Sequence, residues 1–193
     1  MATKSLKAQQ SELSNTQRQL EILSNGIFKN GQLPTFKQKL KEQALPPIQP
    51  KKLSILQINI GYMCNQVCAH CHVDAGPDRK EMMGRTTMEE CIEVMETNEI
   101  ETVDLTGGAP EMHPEFRWFV EQIRERTSVD EIIVRSNLTI IMANKKYHDL
   151  PDFFAQHKVH VISSLPFYKR SKTDRQRGSG VFDQSIKALQ KLN

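Results

Sequence analysis

The sequence lacks the features that would place it in several large classes of protein. It has no apolar run near the roughly twenty residues that cross a bilayer, and no apolar secretory segment at its N-terminus. Its formal net charge of +3 comes from 26 basic and 23 acidic residues, a balance too even to indicate nucleic acid binding. We therefore expect a cytoplasmic protein, independent of membranes, whose 193 residues suffice for one domain with a substantial core.

Cysteine is also scarce, and its distribution is uneven. Three of the four cysteines lie in Cys64-Asn-Gln-Val-Cys68-Ala-His-Cys71, directly after the apolar run Leu53–Ile60. Thiolates are the ligands of iron–sulfur clusters, and a loop with three of them can surround one metal centre. The fourth, Cys91, falls in a helical pattern typical of a small buried residue. The spacing favours a cluster bound by three cysteines, with one ligand position left open.

Two alternatives to a cluster stay open at this point. Zinc also binds in Cys3His sites, and His70 and His72 lie in the same loop, although structural zinc motifs usually collect their ligands as two separated pairs. A disulfide is a second alternative, which the reducing conditions of the cytoplasm disfavour.

Residues 1–50 have the composition of a polar, partly helical leader. Ser11 predicts the start of one helix and Gly26 its end, and Thr35 predicts the cap of a second, short helix through Leu40 and Leu45. Prolines then predict an extended linker: Pro46, Pro47 and Pro50.

From residue 51 onward, short apolar runs alternate with helical patterns. The predicted strands are Leu53–Ile60, Ile100–Leu105, Glu131–Ser136 and Val159–Leu165. One predicted helix is capped by Thr86 or Thr87, and the others span His113–Arg126, Tyr147–His157 and Val181–Leu192. Four successive strand–helix units predict an α/β fold with a parallel sheet and right-handed crossovers. Ligands bind such sheets at the carboxyl ends of the strands.

Small or polar residues follow the later predicted strands at that edge. Gly107 and Gly108 directly follow the second strand, where paired glycines allow a backbone to approach a ligand or simply form a tight turn. Asn137 follows the third strand, and Ser163 and Ser164 end the fourth. These three side chains are candidate ligand contacts, although Asn and Ser are also ordinary residues of turns and strand ends.

A basic segment lies between Tyr168 and Gly180. It is not interleaved with aromatic residues, so the pattern predicts a solvated surface, with binding of nucleic acid or of an anionic substrate group as competing uses. Its cations are Lys169, Arg170, Lys172, Arg175 and Arg177.

The C-x3-C-x2-C spacing closely resembles the signature of the radical S-adenosylmethionine (SAM) superfamily. In that superfamily three cysteines hold a [4Fe-4S] cluster and the fourth iron chelates SAM. The resemblance implies that Cys64, Cys68 and Cys71 are the cluster ligands, and that an external donor supplies electrons.

The Gly-Gly turn resembles the Gly-Gly-Glu motif of the same superfamily, whose backbone receives the amino group of SAM. Here Ala109 stands where the glutamate is usual, and Glu111 follows two residues later. The resemblance also implies contacts of Asn137 and Ser164 with the ribose or carboxylate of SAM, and of His70 with the adenine. The implied SAM-binding set is His70, Gly107, Gly108, Ala109, Glu111, Asn137 and Ser164.

Five stretches are closer to one group, the arsenosugar-biosynthesis radical SAM proteins. They are Leu56–Gly61, Cys64–Pro77, Leu105–Glu111, Arg135–Thr139 and Gln176–Phe182, and the resemblance runs from about Thr35 to the end. It implies transfer of the 5′-deoxyadenosyl group of SAM to a small molecule, a methylated arsenical.

That family usually carries a C-terminal half with two more strands and a cysteine-rich domain. We therefore expect residues 51–193 to be the N-terminal portion of a (β/α)6-type radical SAM barrel, with four βα units present and the C-terminal half absent. The alternative is a non-catalytic iron–sulfur or zinc-binding module derived from a truncated relative.

Overall fold

The computed structural model describes residues 4–25 and 34–193. One compact unit spans Leu6–Lys52, and the other contains Leu53–Asn193 together with residues 4 and 5. The predicted helix end at Gly26 lies outside the described residues. No helix within the two described ranges is long and apolar enough to cross a membrane.

The smaller unit contains a 3-10 turn at Glu12–Ser14 and two helices, α1 at Thr16–Asn25 and α2 at Phe36–Glu42. Ser11 accepts a hydrogen bond from the backbone of Leu13 at 3.3 Å, so it caps the 3-10 turn. The prediction that Ser11 starts the long helix is therefore wrong, because the side chain of Asn15 accepts from the Arg18 amide at 3.1 Å and caps α1.

The predicted cap at Thr35 is confirmed. Thr35 and Gln38 form a reciprocal capping box at the start of α2. The helix ends at Glu42, before Leu45, so it is shorter than predicted.

The larger unit is built on one parallel sheet, as predicted. Its strands are β1 at Ile55–Asn59, β2 at Thr102–Thr106, β3 at Glu131–Ser136 and β4 at Val159–Ser163, in the order β1-β2-β3-β4. The inner strand β3 matches its predicted bounds, whereas the edge strands are shorter than predicted. An edge strand has one neighbour, so β1 extends only as far as its pairing with β2, from Ile55 opposite Thr102 to Asn59 opposite Thr106.

Six helices follow the sheet strands in the described part of this unit. They are α3 at Arg85–Thr97, α4 at Phe116–Arg126, α5 at Thr139–Ala143, α6 at Leu150–Gln156, α7 at Arg170–Arg177 and α8 at Val181–Leu192. Short 3-10 turns occupy Pro110–Met112 and Lys145–Tyr147. The bounds of α8 were predicted correctly.

The other predicted helix starts need correction. Gly84 is the N-cap of α3, so Thr86 and Thr87 lie inside its first turn. The predicted helices at His113 and Tyr147 begin later, at Phe116 and Leu150, because 3-10 turns precede them.

Two helices, α5 and α7, were not predicted. The five residues of α5 are too few to reveal a helical period. In α7 the only buried residue is Thr173, so no apolar stripe marks the helix in the sequence.

Five helices of the larger unit, α3, α4, α5, α6 and α8, contribute side chains to a core on one face of the sheet. Alternate strand residues Ile58, Val103, Leu105, Ile132 and Val134 point to this face and join the buried side chains of α3 and α4 in one core. The strand residues between them lie on the opposite face, which carries polar side chains together with Ile55, Ile133 and Ile162. Its polar side chains include Gln57, Asp104, Arg135 and His160.

Candidate metal and cofactor site

The loops that follow the four strands line one cavity at the carboxyl edge of the sheet. The three predicted metal ligands, Cys64, Cys68 and Cys71, all contribute to its wall. The wall also contains most of the predicted SAM-binding residues: His70, Gly107, Gly108, Asn137 and Ser164. Residues that are far apart in the chain therefore meet where a parallel sheet usually binds its ligand.

The remaining two predicted SAM contacts, Ala109 and Glu111, lie behind this wall. They are 3% and 4% exposed. Both carboxylate oxygens of Glu111 lack a hydrogen-bond partner among the described residues. Burial raises the pKa of Glu111 to about 7; the Ser136 side chain and the Asn137 backbone oppose this rise from nearby, although neither makes a hydrogen bond of ordinary geometry. The contact of Ala109 and Glu111 with SAM stays a prediction.

Gly107 and Gly108 pack against the start of the cysteine loop. The Gly108 amide donates to Gly61 O at 2.9 Å, and the Ala109 amide donates to Met63 O at 2.8 Å. A Cβ atom on Gly107 would overlap Gly61 O, and one on Gly108 would overlap Met63 O. Gly107 also has φ +146°, a conformation that favours glycine. The glycine pair is therefore required for the close approach of two loops, in addition to any ligand contact.

The three loop thiols lie in different electrostatic surroundings. Burial raises the pKa of the Cys64 thiol to about 11, against the opposing hydrogen bonds from the Gln66 backbone and the Asn137 side chain. Burial also raises the pKa of Cys68, and the nearby Arg177 lowers it. The Ala75 amide donates to the sulfur of Cys71 at 3.2 Å. A bound metal would reverse this preference for the neutral thiol, because coordination deprotonates it.

Asn137 connects the loop after β3 to the cysteine loop. Its amide nitrogen donates to Asn65 Oδ1 at 2.6 Å and contacts Cys64 Sγ at 3.4 Å. Its amide oxygen accepts from the Thr139 hydroxyl at 3.1 Å, at the start of α5. These bonds fix the side chain of Asn137 beside a predicted cluster ligand.

Arg177 is the functional candidate that the sequence did not single out. It was expected in a solvated basic surface, but it lines the cavity, and its Nε atom is buried without a partner in the part of the chain that the structure describes. A backbone hydrogen bond from Ala69 to Gln176 O, 3.0 Å long, ties the end of α7 to the cysteine loop. The sequence offered one signal for Arg177, namely that it lies in the segment after β4. The other four cations of that segment share this signal, so it could not single out Arg177.

The three thiols lie around one cavity, as the ligands of a multi-iron cluster would. A zinc ion needs its ligands about 2.0–2.3 Å from one point, whereas a four-iron cluster binds each thiolate at a different iron. Three thiols distributed around one cavity meet the second requirement.

Solved structures share this fold, and one of them was determined with bound AdoMet. Native anSMEcpe with bound AdoMet aligns with a TM-score of 0.58 and 18% identity, over 72% of this chain and 40% of that one. Streptococcus suis SuiB bound to precursor peptide SuiA aligns with a TM-score of 0.60 and 15% identity, over 97% of this chain and 43% of that one. These likenesses show that the larger unit, with its parallel sheet, has the fold of those structures.

Residues 60–187 match the family described as a 4Fe-4S single cluster domain, over well more than half of the sequence. The chain belongs to this family. A curated relative is the mycofactocin maturase MftC of Mycobacterium tuberculosis (strain CDC 1551 / Oshkosh), which is 24% identical over 136 residues, or 68% of this chain and 32% of that protein. The chain thus spans about a third of the length of the curated relatives it matches.

Proposed function

We propose that this chain carries the cluster- and SAM-binding part of a radical SAM enzyme. Cys64, Cys68 and Cys71 hold the [4Fe-4S] cluster, and SAM binds beside it in the same cavity. The observation that carries this proposal is the shared wall, in which three thiols of the loop after β1 face the loops after the other three strands.

A cluster held by Cys64, Cys68 and Cys71 would supply one electron, replenished by an external donor, for the reductive cleavage of the C5′–S bond of SAM. The protein's residues hold and orient the two cofactors. Asn137 and the Ala75 amide donate to the sulfurs of Cys64 and Cys71, which would stabilise negative charge on a cluster held there. The Gly107–Gly108 backbone receives the amino group of SAM, Asn137 and Ser164 contact its ribose or carboxylate, and His70 contacts the adenine.

Arg177 is the residue that we assign to the carboxylate of SAM. Its guanidinium lies near Cys68 and has a buried Nε without a partner among the described residues. A buried N–H group of this kind normally has an acceptor, and a carboxylate is the acceptor that a guanidinium binds most strongly.

We further propose that the substrate is a methylated arsenical, which receives the 5′-deoxyadenosyl group in arsenosugar biosynthesis. The support is the resemblance in the five stretches between Leu56 and Phe182. The reaction takes place in the cytoplasm, where thiols such as those of the four free cysteines persist. The competing function is a cluster- or zinc-binding module without catalytic activity.

Anaerobic reconstitution with iron and sulfide allows cluster binding, SAM binding and the proposed substrate to be tested one after another. Absorption and electron paramagnetic resonance (EPR) spectra report the cluster, and SAM should change the EPR spectrum of the reduced form. Reduced protein with SAM should yield 5′-deoxyadenosine, and an added dimethylarsenical should yield an adenosylated arsenical detectable by mass spectrometry. A reduced cluster whose EPR spectrum does not change on addition of SAM would favour the non-catalytic module. So would a protein that contains one equivalent of zinc in place of a cluster. 5′-Deoxyadenosine without an arsenical product would retain the enzyme class and reject the substrate.

A further inference from the structure

Three polar side chains form one hydrogen-bonded set on the face of the sheet opposite the helical core. Arg135 on β3 contacts Asp104 on β2 through two donors, Nε to Oδ1 at 2.9 Å and Nη2 to Oδ2 at 2.8 Å. Gln57 on β1 donates to the same carboxylate, Nε2 to Oδ2 at 2.7 Å. Asp104 is only 4% exposed, although it lies on the face opposite the helices. The three side chains therefore cross three strands as one hydrogen-bonded row.

This row keeps the Arg135–Asp104 pair ionised. Burial alone would raise the pKa of Asp104, but hydrogen bonds from Arg135 and Gln57 outweigh it, and the net effect lowers the pKa. A bidentate pair also fixes the plane of a guanidinium, which a single contact would leave free to rotate. Arg135 is therefore a rigidly oriented cation.

One edge of this guanidinium is still available. The side edge, formed by Nε and Nη2, is used on Asp104, whereas Nη1 donates to no atom in the described part of the chain. The side chain of Arg135 is 48% exposed. The end edge, with one N–H from each terminal nitrogen, has the spacing that binds two oxygens of an oxyanion.

Arg135 belongs to the wall of the cavity that holds the cysteine loop. It pairs in register with Ile162 of β4, which lines the cavity too. It lies one residue before the end of β3, closer to the middle of the sheet than the loops that we assign to the cluster and SAM. Among the described residues, the cavity wall contains Arg135 and Arg177 and no carboxylate, so it suits an anion.

We propose that Arg135 is the substrate-orienting residue, which binds an oxyanion group of the substrate, a carboxylate or an arsinate, while Asp104 and Gln57 hold its guanidinium in place. This inference rests on the proposed function, because it assumes that SAM binds next to the loops that follow the strands, and not next to Arg135 on β3. It adds that the substrate is an anion and that it binds on the sheet side. Arg135 is distinct in this role from Arg177, which we assign to SAM.

The test titrates sodium dimethylarsinate, and separately sodium acetate, into the reconstituted chain by isothermal titration calorimetry, with and without SAM. Arg135→Gln removes the guanidinium group and its charge, whereas Arg135→Lys keeps the charge but loses the bidentate geometry. Arg117→Gln is the matched control, because Arg117 also pairs with an aspartate, Asp149, at 2.7 Å, but on the surface of α4. Circular dichroism and iron content verify that each variant folds.

We expect saturable binding of at least one of the two anions by the wild-type protein. Arg135→Gln should raise its Kd roughly tenfold or more, Arg135→Lys should raise it less, and Arg117→Gln should leave it unchanged. The EPR response to SAM should persist in both Arg135 variants. Equal Kd values for wild type and Arg135→Gln, or no saturable binding by the wild type, would overturn the assignment.

Loss of the SAM response in Arg135→Gln would also overturn it, because Arg135 would then belong to the SAM site. If the wild-type cluster itself gives no SAM response, the proposed function fails instead. In that case, anion binding measured in the absence of SAM would still show the anion subsite if Arg135→Gln weakened it.

Discussion

The amide nitrogen of Asn137 lies 3.4 Å from the sulfur of Cys64, so the loop after β3 contacts a predicted cluster ligand of the loop after β1. The two residues are 73 positions apart in the chain. The strand β2 lies between the two strands that carry them. Hydrogen bonds to cluster sulfurs are one of the levers by which proteins set a cluster's reduction potential.

Asn137→Ala should therefore make the cluster harder to reduce. A missing N–H donor leaves the added charge of the reduced state less stabilised, so the midpoint potential should become more negative, by roughly 60 mV if the bond contributes a tenfold factor to this one-electron couple. EPR-monitored redox titration measures the shift. Asn144→Ala, at an exposed turn cap, is the control and should leave the potential unchanged. An unshifted potential in Asn137→Ala would show that this contact does not influence the cluster.

Single Cys→Ala changes at positions 64, 68 and 71 should each prevent assembly of a complete cluster, because each removes a thiolate from the loop. Cys91→Ala should keep the full cluster, since Cys91 lies in α3 and packs against the core. Iron and sulfide analysis with absorption spectroscopy compares the four variants. A Cys91→Ala protein without iron would contradict the ligand assignment.

Gly108→Ala should reduce both stability and iron content. The added Cβ would overlap the carbonyl oxygen of Met63, the residue before Cys64, so the cysteine loop would have to move. Gly84→Ala is the matched control, because its Cβ would meet no atom within 4 Å. Thermal unfolding and iron content measure the two effects. If Gly108→Ala keeps full iron and wild-type stability, the packing argument for the glycine pair is wrong.

Arg177→Gln should weaken SAM binding and leave cluster assembly intact. A hydrogen bond to a charged group contributes about 1.5–3 kcal/mol, so the SAM concentration that gives the half-maximal EPR change should rise about tenfold or more. Arg175→Gln changes an exposed arginine of the same helix and should have no effect. Similar SAM titrations for the two variants would remove Arg177 from the site.

Glu111→Gln should change how stability depends on pH. The folded-state pKa of Glu111, about 7, lies above its ordinary value of 4.5 because the carboxyl is buried. The protonated form therefore favours the folded state: its contribution is complete below pH 4.5 and is lost as the pH rises through 7.

Urea unfolding at about pH 5 and about pH 8 measures this difference. Between them, wild type should lose on the order of a few kcal/mol relative to Glu111→Gln, which cannot ionise. Glu121→Gln, on the exposed side of α4, should follow the wild-type curve. Parallel curves for wild type and Glu111→Gln would mean that Glu111 does not titrate in this range.

The fold class could be predicted, and the cysteine loop could be singled out as a candidate metal site, because their signals are local. The three cysteines lie within eight residues, and their spacing alone indicates a shared centre. The inner strand β3 and the helix α8 carry uninterrupted periodic patterns, and their bounds matched the structure. Repetition of strand and helix then implied a parallel sheet, because a crossover of that length returns the chain in the same direction.

Tertiary structure decided which side chains of the later loops reach the site. Arg177 differs from Arg175 only in the direction in which α7 presents it, and α7 has no apolar stripe that could reveal this direction in the sequence. The need for glycine at position 108 comes from the backbone of Met63, and the Asn137–Cys64 contact spans three strands. Such contacts depend on the register and packing of the whole sheet, whereas composition and periodicity describe only neighbours along the chain.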